Sequence, residues 1–247
     1  MPADQPIDVT FDIRSDAGGK DPDRYSATLR GYHRQLWGKP LPNGAPFPLD
    51  DVYPKGYLQH QSELGEFMLS SDMIHRSFIP VVRMRHVIEQ VPQEVLENSS
   101  RNGCTVGGTI VFPAHRIEGK HTINQARGTH RRIEDRFDLT LECIRRHYEG
   151  APSPLTATLA RYASFFDLFD DFEGYVAHFL LQDLVDLSNG TVRFFTKWQD
   201  FDSPAMPQTV TEYLEYSERA VEFVLARNRR ISAWAETRDD RPSMRSL

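Results

Sequence analysis

The 247-residue chain is poor in several things, and each shortage narrows what the protein can be. It has only two cysteines, Cys104 and Cys143, too few for a disulfide framework and not spaced as a Cys-x-x-Cys zinc ligand pair. Both are expected to serve as small apolar fillers. No apolar run approaches the roughly 20 residues of a membrane span, and the start, Met1-Pro2-Ala3-Asp4-Gln5, has neither the charge nor the apolar stretch of a signal peptide. A cytoplasmic protein with no membrane partner is expected. Basic charge is also short: the formal net charge is −6, so the whole-molecule field does not attract nucleic acid, and any phosphate contact must come from a local patch. Complete motifs are missing as well. There is no Gly-x-Ser-x-Gly elbow, no His-Glu-x-x-His pair and no Gly-x4-Gly-Lys-Ser/Thr loop.

What is present is a chain rich in large rings, 11% aromatic, which supplies a core. Ile7, Val9, Phe11 and Ile13 alternate with polar residues and predict a short strand. A turn-forming stretch follows, and then a helix over 26–37 with Leu29, Tyr32, His33 and Leu36 on one face. Five prolines and three glycines make 38–56 irregular. Residues 57–74 fit either a strand pair or a short helix, and 81–96 reads as helical pieces broken at Pro92. Thr105 to Phe112, β-branched and apolar, predicts a buried strand in which Gly107 and Gly108 mark a bulge or a close backbone approach. A polar loop is expected over 114–130, and helices over 133–148, 154–169 and 173–185. A strand over 191–198 follows. Thr209-x-x-Glu212 opens a long amphipathic helix as a capping box. Arg227, Arg229 and Arg230 read as a cationic helix end. The summary is one α+β domain over 1–247, mostly helical with a small sheet, its tail frayed from about 239.

Chemistry is most expected between His115 and Arg146. From 115 to 132 five cations (Arg116, Lys120, Arg127, Arg131, Arg132) face one acid, Glu118, a local charge of +4 in an acidic protein. Arginine forks and lysine point charges suit phosphate or carboxylate. On the following helix Asp135, Asp138 and Glu142 stand three and four residues apart, a spacing that brings carboxylates together. Carboxylates beside cations are what metal-assisted phosphoryl chemistry needs. The expected roles are phosphate binding by Lys120, Arg127 and Arg132, ligand orientation by Asn124, and Mg²⁺ or base function for Asp138 and Glu142. His130 is the expected general acid. The structural alternative is a solvated loop and an exposed helix face paired with nearby charges. Two further stretches carry polar groups: the turn Asp12, Arg14, Asp16, Lys20, Asp21, Asp23, and the run His60, Ser62, Glu63, Glu66, Ser70, Ser71, Asp72, His75. Neither has the spacing of a known loop or triad.

The stretches Gly18-Gly19-Lys20-Asp21-Pro22-Asp23, Leu36-Trp37-x-Lys39-Pro40-Leu41-Pro42 and Leu69-Ser70-Ser71-Asp72 resemble those of a bacterial family known only as a domain of unknown function. So do Thr122-Ile123-Asn124-x-Ala126-Arg127-Gly128 and Arg136-Phe137-Asp138-Leu139-Thr140-Leu141-Glu142-Cys143-Ile144-Arg145-Arg146. The resemblance spans nearly the whole chain and implies one domain, but carries over no activity and no catalytic residues. The leading expectation is an enzyme acting on or binding a phosphate-bearing ligand, a nucleotide or RNA, by metal-assisted phosphoryl transfer or hydrolysis. The alternative is a non-catalytic protein that docks an acidic partner through the same loop, in bacterial defence or regulation.

Overall fold

In the computed structural model, residues 6–52 and 55–239 are described. The proposed signal-free start at 1–5 and the expected frayed tail beyond 239 lie outside them. The first regular elements are a single turn, α1 (Pro22–Tyr25), and α2 (Ala27–Trp37). Asp21 caps the first, with proline at its start, and Ser26 caps the second through a bond from the Leu29 N–H. The strand pair alternative holds for the ambiguous 57–74 region: β1 (Leu58–Ser62) and β2 (Gly65–Met73) form an antiparallel hairpin. Then come α3 (Arg85–Ile88) and α4 (Gln93–Gly103), separated at Pro92 as the sequence predicts. β3 (Thr109–Pro113) runs antiparallel to β2, with Asp72 opposite Ile110, and completes a sheet of order β1-β2-β3.

The second half is built from α5 (Ile123–Thr129), α6 (Phe137–Tyr148), α7 (Thr156–Arg161), α8 (Ala163–Phe166) and α9 (Phe172–His178). The two-residue strands β4 (Val185–Asp186) and β5 (Thr191–Val192) follow, and α10 (Val210–Asp239) ends the described chain. The fold is mostly helical α+β. One continuous apolar cluster runs from Ile13 and Leu29 through Phe112 and Leu141 to Tyr216 and Ile231.

Several elements differ from their sequence expectation, each for a local reason. Residues 7–13 form no strand. Asp8 accepts from the Thr10 N–H and Asp12 from the Arg14 N–H, and these short-range bonds bend the segment into turns. The expected strand at 105 starts as a 3-10 turn over Val106–Gly108, and only Thr109 onward is extended. The polar loop contains α5, because Thr122 and Gln125 make a reciprocal capping box. The helix expected from 133 begins at Phe137, since Glu134 and Asp135 take left-handed conformations at φ 49° and 64°. Leu180, at φ 56°, stops the helix expected to reach 185.

Candidate functional site: an arginine-bridged carboxylate cleft

The last residues of β2 carry polar side chains into the interior. The Ser71 N–H and hydroxyl both donate to Asp23 at 2.6 Å, which pins α1 against the sheet. Burial pushes the Asp23 carboxyl up to about 6, although the bonds from Ser71 pull it down; the charges of Asp21 and Asp72 add to the rise. The next residue, Asp72, meets Arg127 of α5 at 2.7 Å. Arg127 is wholly buried, because Ile123, Ala126 and Arg127 make the inner face of their short helix.

The same Arg127 nitrogen lies 3.3 Å from Oδ1 of Asp135, so one guanidinium bridges two carboxylates. Arg127 also fixes the backbone of Asp135. Its carbonyl accepts from the Asp135 N–H at 3.0 Å, and its Nη2 donates to the Asp135 carbonyl at 2.8 Å. These bonds hold Asp135 in its left-handed conformation. From the outer side, Arg76 donates to Asp135 Oδ2 at 2.5 Å. Burial raises the Asp72 carboxyl above its ordinary range; Arg127 opposes this and the Asp135 charge adds to it.

This network forms one wall of a cavity of about 380 Å³, lined also by Arg14, His75 and Tyr213. Two buried nitrogens of its lining residues, His75 Nε2 and Arg76 Nε, have no hydrogen-bond partner, and Asp135 Oδ1 has only the 3.3 Å ion pair with Arg127. His75 stacks on Tyr216, and burial lowers its imidazole to about 4, so it is neutral at pH 7. The lining thus offers a guanidinium donor, a carboxylate acceptor and a neutral imidazole. Buried polar groups are normally satisfied, which sets these atoms apart from the rest of the network.

The residues singled out from the sequence occupy other positions. Asp138 is fully buried, with both its oxygens on Arg136 and a further bond from the Phe195 N–H at 2.9 Å. Glu142 is held by Arg145 at 2.8 Å and Arg146 at 2.7 Å, and these bonds keep its carboxyl below the ordinary range against the cost of burial. The two are therefore not a Mg²⁺ pair, and Asp135 does not share their helix face. Guanidiniums neutralise the repulsion that the spacing implied. Among the described residues no group of three or more His, Cys, Asp or Glu has an arrangement that could hold a metal ion.

Arg127 is a bridge rather than an exposed phosphate ligand. Lys120 pairs with Glu118 and Arg132 with Asp202, both 2.8 Å apart at the surface. His130 ends α5, where its Nδ1 accepts from the Arg132 N–H, and burial lowers its imidazole. Asn124 donates to Ser70 at 3.3 Å and leaves its own Oδ1 buried without a partner.

The N-terminal turn reaches the cleft through Arg14 and Pro22. Asp12, Asp16 and Lys20 bond elsewhere: to Arg14, to the Thr28 N–H and over the Tyr25 ring. Sequence reasoning placed Asp72 and His75 in a polar run but missed Arg76 and the pairing of Asp135. The available signal was that Ser71 and Asp72 stand at the end of a strand, with His75 and Arg76 just past it. Both cysteines are buried and free, as fillers would be.

Fold and cleft together define a mostly helical α+β protein organised around a buried arginine–carboxylate network. More particularly, the chain belongs to the family of unknown function DUF6994, whose sequence profile matches residues 7–231. No curated protein and no solved structure matches the chain.

Proposed function

We propose that the protein binds a small phosphate-bearing ligand of nucleotide type in the cleft and acts on it through its carboxylate pair. The observation that carries this reading is the convergence on one cavity of two buried nitrogens without a hydrogen-bond partner, His75 Nε2 and Arg76 Nε, and of Asp135 Oδ1, which has only an ion pair. Arg76 and the half-exposed Arg14 supply guanidiniums for a phosphate. Asp135 Oδ1 accepts from a ligand hydroxyl or amine. Asp72, with its raised carboxyl, gives or takes a proton. In this reading Arg127 of the 115–132 loop is structural, Lys120 and Arg132 are already paired, and the ligand is a small cytoplasmic solute rather than an RNA helix.

A thermal-shift screen with nucleotides and sugar phosphates tests the proposal. A ligand at a hundred times its Kd adds about 2.7 kcal/mol of stability. Arg76→Ala and Asp135→Asn should abolish the shift. No shift with any such ligand, or one retained in both variants, refutes the reading. A second reading, docking of an acidic partner on the loop, rests on exposed Arg116 and Arg131, which have no ion pair among the described residues. It predicts binding that weakens smoothly with salt and ignores Arg76→Ala.

A further inference from the structure

A second concave surface, sharing no residue with the cleft, lies along α10. It has a volume of about 580 Å³, within the range of sites that take drug-sized molecules. Phe195 and Phe223 are buried in its floor, while Phe194 is half-buried and Leu225 is 40% exposed. A large aliphatic side chain is thus left at solvent beside aromatic carbons.

The rim is cationic, with Arg193, Arg219 and Arg229 bordering the groove. Arg219 and Arg229 stand ten residues apart on one helix, about 15 Å along its axis. Arg219 is partly consumed: it pairs with Glu215 at 2.7 Å and donates to the Phe194 carbonyl at 3.3 Å. Arg230 cancels the rim acid Asp183. Arg193 and Arg229 have no carboxylate within ion-pair distance among the described residues, although Asp186 lies near enough to feel the charge of Arg193. Glu222 is the remaining acid of the lining. In a chain of net charge −6, two free guanidiniums over an apolar floor are a local reversal that complements a negative group carried on an apolar body.

We propose that this groove binds an amphipathic anion: a small acid with an aromatic or aliphatic body, the body lying on Phe223 and Leu225 and the acid held by Arg193 and Arg229. Neither half suffices by itself. The guanidiniums are exposed and give little without an anchored body, and the apolar floor alone would not discriminate acid from alcohol.

The test uses 8-anilinonaphthalene-1-sulfonate, an aromatic acid whose emission rises on leaving water, with the whole protein under native conditions. Saturable one-site binding is expected, displaced by decanoate and not by decanol. The variant Arg193→Ala/Arg229→Ala should weaken it roughly tenfold. Leu225→Asp should weaken it at least as much, and Arg76→Ala in the cleft should leave it unchanged. The changed rim residues are exposed, so the variants should melt as the wild type does. Wild-type protein gives an independent reading: raising salt should weaken binding, because exposed guanidiniums hold the acid. Equal binding by the double variant and wild type, equal displacement by decanol and decanoate, or binding that tightens with salt would each overturn the proposal.

Discussion

Arg127 shows how much one buried charge can organise. Its guanidinium serves Asp72, the Asp135 carboxylate and backbone, and the Thr140 hydroxyl. Replacing it by methionine keeps much of the bulk but strips Asp72 of its cation and leaves Asp135 with Arg76 alone. The expected cost is about 3–5 kcal/mol, the range for breaking a buried pair from one side. Urea denaturation at pH 7 measures it, and a loss below 1 kcal/mol would show that the bridge carries little. The sequence made Arg127 visible as one of five cations but not as the buried one. Which arginine turns inward depends on where α5 starts, and that start is set by the Thr122–Gln125 box. The same holds for Arg136 and Asp138. Their spacing of two gave no hint that they pair, because Arg136 lies just before α6 and folds back over its first turn. Arg227 was read as part of a helix end. It is instead fully buried within α10, where it donates to the carbonyls of Phe179, Gly107 and Thr109.

At the scale of elements, capped helices were the most legible feature. Ser26 and Thr209 mark helix starts close to their observed positions because a cap is a local hydrogen bond that needs no tertiary partner, and Pro92 marks one because proline cannot continue the preceding helix. Short strands were not, since two or three paired residues carry too little pattern to be seen. The Gly107–Gly108 pair was legible as a close approach, and the reason is now specific. A side-chain carbon at Gly108 would stand 1.9 Å from the Gly103 carbonyl oxygen, at the junction of α4 and β3. That neighbour is backbone and has no rotamer to escape into. Gly108→Ala is therefore expected to cost about 3 kcal/mol or more, the upper range for overpacking. A melting temperature within 2 °C of wild type, on the scale of roughly 2–4 °C per kcal/mol for this chain length, would contradict it.

For the whole molecule, pH dependence follows from buried imidazoles. Burial lowers His33 and His178 to about 3 and His75 to about 4, well below their unfolded value near 6.5. Below pH 6.5 the unfolded chain therefore binds protons that the folded chain refuses. Stability is full above that pH and falls by about 1.4 kcal/mol per pH unit for each histidine as the medium acidifies. Asp23 acts in the opposite sense. Its folded carboxyl near 6 takes up a proton before the unfolded one does, which favours the fold as pH drops from 6 toward 4. Asp72, also raised by burial, acts in the same sense as Asp23. Three groups outweigh two, so the urea midpoint should fall between pH 7 and pH 4.5. A midpoint that stays level or rises would mean that these imidazoles are not held neutral. The α+β class and the helical second half were readable because long periodic segments dominate the chain. The cleft was not, because it joins residues 14, 72, 76, 127 and 135, and no local pattern records which distant segments meet.

The carbonyls that Arg227 caps belong to residues 107, 109 and 179, and Asn228 also accepts from the Gly107 N–H. Those backbone groups leave the ribosome long before their partner does. Until α10 has emerged, the start of β3 carries open polar groups in an apolar setting, so a nascent chain has reason to remain unfinished until that helix is made. Assembly of the native core thus waits for α10, and a chain that stops before position 227 lacks the cation on which β3 and α10 join.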